Sequence, residues 1–182
     1  MAGLLTLGVS IVAFKEGPLP NMTGGFGDPS CHSCHLDNPI NAPGGRLAVT
    51  GLPSQFEAGR TYDVTVELTR GSVRRGGFEI VARFATGRLR GRQAGTWRVL
   101  DDRVQLQPSK DKRLLFAQHT TIGTVTAARG ALTWRVEWTA PQAAPSSVQF
   151  NLAGNASDDD ASPLGDYIYL AELTSRPASR VR

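Results

Sequence analysis

Residues 61–69 read Thr61-Tyr62-Asp63-Val64-Thr65-Val66-Glu67-Leu68-Thr69, with Tyr62, Val64, Val66 and Leu68 set against polar neighbours. Successive side chains of a strand point to opposite faces, so this period of two predicts a strand with one buried face. The pattern recurs downstream at Phe78, Ile80, Ala82 and Phe84, at Leu132, Trp134, Val136 and Trp138, and at Val148, Phe150 and Leu152. Shorter candidates lie at 46–50, 96–100, 114–120 and 167–173, giving about eight strands. Gly51-Leu52-Pro53, Ala58-Gly59, Gly76-Gly77, Pro108-Ser109 and residues 141–147 supply the breaks between them. No stretch after residue 40 carries a helical period. Strands with one apolar face must cover each other, so the expected fold is all-β, an antiparallel sandwich with Trp134 and Trp138 filling its core.

The chain has 182 residues, enough for one domain with a full core and no need of covalent staples. Twenty Lys and Arg against 16 Asp and Glu leave a net charge of +4. The arginines at 70, 74, 75, 83, 88, 90, 92 and 98 are scattered, with no interleaved aromatic motif, so they read as a solvated basic surface and no nucleic-acid partner is expected. Such a surface also suits docking to an acidic redox protein. Residues 4–14, LLTLGVSIVAF, have the length of a signal-peptide core and fall short of a bilayer span. The basic flank and the small-residue cleavage site of a signal are missing, so an export signal, a retained anchor and an element of the mature protein all remain open.

Ahead of the strands stands Cys31-His32-Ser33-Cys34-His35, the pattern through which c-type haem is attached. Each thiol adds across one porphyrin vinyl group to form a thioether, and the adjoining imidazole ligates the iron. Cys31 and Cys34 are the chain's only cysteines, so a four-cysteine or three-cysteine zinc site is excluded within one chain. A zinc site from both cysteines with His119 and either His35 or His32 would have an unusual spacing. The flanks, 24–29 and 38–43, are loop-forming on both sides, unlike a thioredoxin-type redox pair, which opens a helix. One covalent haem c is therefore expected, bound through Cys31 and Cys34 with His35 as an iron ligand.

The second axial position needs another donor. His32 is held inside the attachment loop and cannot swing to the opposite haem face. His119 ends a predicted strand beside a Gly-containing turn, where β scaffolds present functional side chains, and is the preferred ligand. Met22 and an open iron are the alternatives. A polar cluster at Asn151, Asn155, Asp158, Asp159, Asp160 and Asp166 has oxygen donors suited to Ca²⁺, but not the spacing of an EF-hand, and reads as an ordinary solvated loop.

The segment Thr23–His35, followed by Pro43-Gly44-Gly45, Gly77-Phe78-Glu79, Gln118-His119-Thr120, 138–141, Ala153-Gly154-Asn155 and Gly165-Asp166-Tyr167, resembles bacterial monohaem proteins built on a reelin-type domain. The resemblance covers most of residues 23–173. It implies an immunoglobulin-like sandwich, an extracytoplasmic (periplasmic) setting and a histidine at the position of His119 in a Gln-His-Thr context. The expected organisation is an apolar signal-like or anchor segment at 1–14, a loop-rich haem-binding extension at 15–44, the sandwich at 45–175 and a basic tail at 176–182. Two functions follow as expectations. One is a monohaem cytochrome passing electrons between redox partners, serving a membrane electron-transfer complex, with membrane association through 4–14. The other is an interaction or structural module in which haem only stabilises the N-terminal loop.

Overall fold

The structure, a computed structural model, describes residues 15–126, 130–160 and 162–179. The apolar 4–14 stretch and the last three residues of the expected tail lie outside them. Ten strands form two sheets: β1 (Gly45–Thr50), β2 (Gln55–Phe56), β3 (Thr61–Arg70), β4 (Arg75–Phe84), β5 (Thr96–Val99), β6 (Val104–Pro108), β7 (Leu115–His119), β8 (Ala131–Thr139), β9 (Val148–Ser157) and β10 (Tyr167–Pro177). One sheet has the order β1-β3-β8-β5 and the other β2-β10-β9-β4-β7-β6. Helical structure in the described residues is limited to short 3-10 turns. All ladders are antiparallel except that of β10 with β2, where Arg176 and Pro177 pair with Gln55 and Phe56.

The expected sandwich is present, and its core lies where the alternation placed it. Val64, Val66 and Leu68 of β3 stand opposite Val136, Trp134 and Leu132 of β8, all buried. From the facing sheet, Ile80, Ala82 and Phe84 of β4 stand opposite Leu152, Phe150 and Val148 of β9. The two layers interlock through aromatic rings: Phe78 meets Trp134 at 4.6 Å between centroids, and Phe150 meets Trp138 edge-on at 4.8 Å. Each indole N–H finds a carbonyl, Gly123 O for Trp134 and Ala94 O for Trp138, so neither ring carries an unpaired donor into the core. Every such side chain contributes about 1.5–3 kcal/mol through burial.

Two strands escaped the sequence reading. The two residues of β2 are too few to show a period, and β6 offers only Val104 and Leu106 before Pro108; both form because β10 and β7 give them a partner edge. The strand β10 also runs through Pro177, into the stretch expected as a basic tail.

The larger departure concerns β4. Its alternation predicts one wet face, yet Glu79, Val81 and Arg83 are as buried as the core-facing residues between them. Residues 17–44 fold back across this outer face and make a third layer. The hairpin is closed by a bridge between Thr23 and Ser30 and by Gly24 N–H to Pro29 O at 2.9 Å. Its tip, Gly25–Gly27, holds Phe26 at a positive φ of 58°. Gly25 itself is required, because a β-carbon there would meet the Asn151 amide at 2.1 Å. Ala42 and Ile168, buried outside the main core, belong to the same outer interface.

Candidate haem-attachment site

The Cys31–His35 segment forms a 3-10 turn at Cys31–Ser33, continued by Cys34 N–H and His35 N–H, which both donate to Cys31 O at 3.2 Å. This single turn separates the two thiols and carries His35 to the sheet. Cys31 keeps some exposed surface while its Sγ turns inward, 3.8 Å from Met22 O; Cys34 is exposed, and no disulfide joins them. Burial, reinforced by the charge of Glu79, pushes the Cys31 thiol up to about 12.

Two buried ionisable residues, Glu79 and Arg83, hold this layer, and alternation along the strand marks neither as buried. Glu79, fully buried on β4, accepts hydrogen bonds from Met22 N at 2.7 Å and Asn21 N at 3.2 Å. Its burial outweighs these donors and the nearby Arg83, raising its carboxyl to about 8, so it is largely protonated at neutral pH. Arg83, two residues along the same face, pairs with Asp28 at 2.5 Å and donates to Gly25 O at 3.1 Å, with its guanidinium 4.5 Å from the Phe26 ring centre. This corrects the expectation of uniformly solvated arginines: Arg83 is 2% exposed. Alternation along β4 had marked only the core face, and nothing local signals a covering segment fifty residues upstream.

His35 is half-buried against the end of β9. Its Nδ1 lies 2.9 Å from Asp166 Oδ2, oblique to the ring N–H direction, and its Nε2 lies 3.4 Å from Asn155 Nδ2. Asn155 also donates to Asp166 Oδ2 at 3.0 Å. Two members of the polar cluster considered for Ca²⁺ are thus engaged with His35. Asp158, Asp159 and Asp160 instead form an exposed turn closed by their own backbone, with Asp159 paired to Arg75.

His119 lies where the β4–β7 ladder stops. That ladder ends at Glu79 opposite Gln118, and the imidazole of the next residue occupies the space beyond. Its Nδ1 stands 3.0 Å from Phe78 N and 3.2 Å from Phe78 O. The ring fits because position 77 has no side chain. Gly77 pairs across β4–β9 with Asn155, the residue touching His35. The two histidines therefore flank one cross-strand pair, at positions ordinarily about 5 Å apart. His32 is engaged elsewhere, its Nε2 3.0 Å from Asn38 O, closing the loop after the motif.

Cys31, Cys34, His35, His119 and Met22 all line one cleft of about 230 Å³, whose walls include Leu19, Phe78 and Pro163. His35 and His119, 84 positions apart in the chain, thus line the same cleft. Among the described residues no three His, Cys, Asp or Glu side chains form a ready cage for a bare metal ion. The donor set fits haem c better, since that group needs two thiols, one or two axial donors and apolar walls, and not a cage. The buried oxygens Asn155 Oδ1 and Asp166 Oδ1, which have no partner beside this cleft, fit it also. No helix among the described residues is long and apolar enough to cross a membrane.

No protein-family model matches the chain, and a search of curated proteins finds no match. Solved structures do match its fold. The Reelin-N domain of F-spondin aligns over 82% of this chain and 96% of its own, at 17% identity and a TM-score of 0.53. The reeler domain of human F-spondin (fragment 1) aligns over 75% of this chain and 92% of its own, at 19% identity and 0.47. A cohesin module from Clostridium perfringens reaches 0.48 at 9% identity, covering 73% and 96%. The protein has the fold of a reeler-like β-sandwich, and residues 17–44 form a layer on its outer face.

Proposed function

We propose that this β-sandwich module carries one covalent haem c and passes single electrons between redox partners outside the cytoplasm. The observation carrying the reading is that Cys31, Cys34, His35 and His119 line one cleft although the sandwich separates them in sequence. Cys31 and Cys34 would hold the macrocycle, His35 would ligate the iron, and His119 would take the second axial place, with Met22 as its competitor. Bound haem supplies one-electron chemistry at a potential set by its axial ligands and surroundings. The chain's own part is to hold one imidazole at the end of β7 and the other just after the 3-10 turn of the N-terminal layer, and to line the site with apolar side chains. The net charge of +4 favours an acidic redox partner, and residues 4–14 would serve for export or for association with a membrane complex.

A second reading has its own support. This chain shares its fold with the Reelin-N domain of F-spondin, which supports an interaction or structural module in which haem only fastens residues 15–44 to the sheet.

The deciding experiment is absorption and paramagnetic resonance of the exported protein in both redox states, beside His119→Ala and Met22→Ala. A covalent low-spin haem that becomes high-spin only in His119→Ala supports electron transfer and the ligand assignment. Loss in Met22→Ala alone reassigns the ligand. A protein without covalent haem, recovered from a host that matures a control cytochrome, leaves the interaction module.

A further inference from the structure

The outer face of β4 carries its contacts in a fixed order. Glu79 accepts from Met22 N–H, and Met22 O in turn accepts from Cys31 N at 3.2 Å, so the first thiol of the motif belongs to this end of the cleft. Two residues back along the strand, Gly77 underlies the His119 ring. Two further back, Arg75 pairs across the ladder with Ser157 of β9, and both residues line the cleft. At about 3.4 Å per residue these three rungs span about 14 Å.

Arg75 is held as a fixed cation at its end. Its Nη1 donates to Thr124 Oγ1 at 2.6 Å, and Thr124, a buried residue, donates its own hydroxyl proton to Thr121 O at 2.7 Å. Its Nε donates to Asp159 Oδ1 at 2.7 Å, with Nη2 at 3.4 Å from Oδ2. A guanidinium carries five N–H donors, and these contacts engage three of them. Lys15 lines the same cleft. The hydrogen bond from Arg75, with the charges of Arg75, Lys15 and Arg74, holds the Asp159 carboxyl below its usual range. Three cations thus act on one carboxylate, while Asp158 and Asp160 accept N–H groups of their own loop, from Asp160 and Ser162.

We propose that Arg75, with Lys15, is the anchor for the two propionate carboxylates of the haem, steadied for that role by Thr124 and Asp159. The proposal rests on the haem reading above. A porphyrin carries its vinyl groups and its propionates on opposite edges. With the vinyl edge tied to the cysteines and the iron at His119, the propionate edge falls on the Arg75 side of the cleft. The planar fork of an arginine matches a carboxylate, and a fixed cation there also favours the reduced, less positively charged iron.

The test uses the full chain matured with haem whose propionate carboxyls carry ¹³C, supplied as labelled aminolaevulinate. Redox-difference infrared spectra read those carboxylates, redox titration reads the midpoint potential, and the low-spin signal shows that each variant is folded and ligated. Arg75→Gln is expected to shift the labelled band and lower the midpoint, whereas Arg74→Gln, an equal loss of charge one residue away, changes both little. Arg75→Lys keeps the charge and loses the fork, so its band should shift while most of the midpoint is kept. An unmoved band in Arg75→Gln overturns the anchor and leaves the haem reading standing; if that variant does not mature, an unmoved band in Arg75→Lys does the same. Equal effects in Arg75→Gln and Arg74→Gln reduce Arg75 to surface charge and overturn the anchor as well. A chain without covalent haem, from a host that matures a control cytochrome, overturns the haem reading and the anchor together.

Discussion

The imidazole of His119 lies over Gly77 so closely that a β-carbon at position 77 would stand 2.3 Å from its Cε1 and 2.5 Å from its Nδ1. The ring is confined between the end of a strand ladder and a neighbour without a side chain, so its direction is set by β4. Gly77→Ala is expected to push the ring out of this seat and to destabilise the fold by about 1–3 kcal/mol, the usual range for overpacking. Denaturant melts would read the loss. In haem-loaded protein the same change is expected to weaken the low-spin signal as His119→Ala does, and an unaltered spectrum would count against His119 as ligand.

Glu79 makes stability depend on pH in an uncommon direction. Its folded-state value lies at about 8, against 4.5 for the free group, so the native chain holds a proton that the unfolded chain has released. Stability from this group is complete below about 4.5, declines as pH rises, and is gone above about 8. The expected decline is on the order of a few kcal/mol across that window. Urea melts at pH 5, 6.5 and 8 should show the slope in the unsubstituted chain and a flatter one in Glu79→Gln; equal slopes in both would assign the effect to other groups.

How far the sequence reveals this molecule depends on which contacts are local. The alternation in β3 and β8 is visible because one sheet face is buried and the other is wet, and it placed Val66, Trp134 and Val136 correctly. In β4 both faces are buried, and Glu79 and Arg83 passed for surface residues because the segment covering them lies far upstream. The Cys31–His35 pattern is a local spacing, visible in the sequence without the fold. His119 was singled out by scarcity of donors, while its seat on Gly77 and the tie of His35 to Asp166 depend on strand register, which no local pattern encodes. Gly77 beside Gly76 read as a turn signal and, within Gly77-Phe78-Glu79, as part of the family resemblance, and neither reading told of the imidazole above it.

The two thiols should differ in reactivity. Cys34 is exposed, whereas burial holds the Cys31 thiol in its neutral form well beyond physiological pH. Only the thiolate is an effective nucleophile. In haem-free folded protein treated with iodoacetamide at pH 8, Cys34 is expected to be alkylated at least about tenfold faster than Cys31. Peptide mass spectrometry over time reads both sites at once. Equal rates in the folded chain would show that the third layer opens faster than the reagent reacts, and equal rates only in urea would support the burial of Cys31.

Arg83 tests whether the outer layer is a separable part of the structure. Its side chain is 3% exposed and meets Asp28, Gly25 O and the Phe26 ring, all of them in the hairpin that leads into the Cys31–His35 segment. Removing one partner of a buried pair leaves the other charge desolvated and costs about 3–5 kcal/mol, although the 21% exposure of Asp28 puts this pair at the lower end. The sandwich core between β3, β8, β4 and β9 does not include these residues. Arg83→Leu is therefore expected to release the 17–30 segment before the sandwich unfolds. Limited proteolysis should cut within that segment and leave a resistant fragment containing all ten strands. If cleavage instead spreads through the strands at the same rate, the outer layer and the sandwich fold as one unit, and Arg83 supports both.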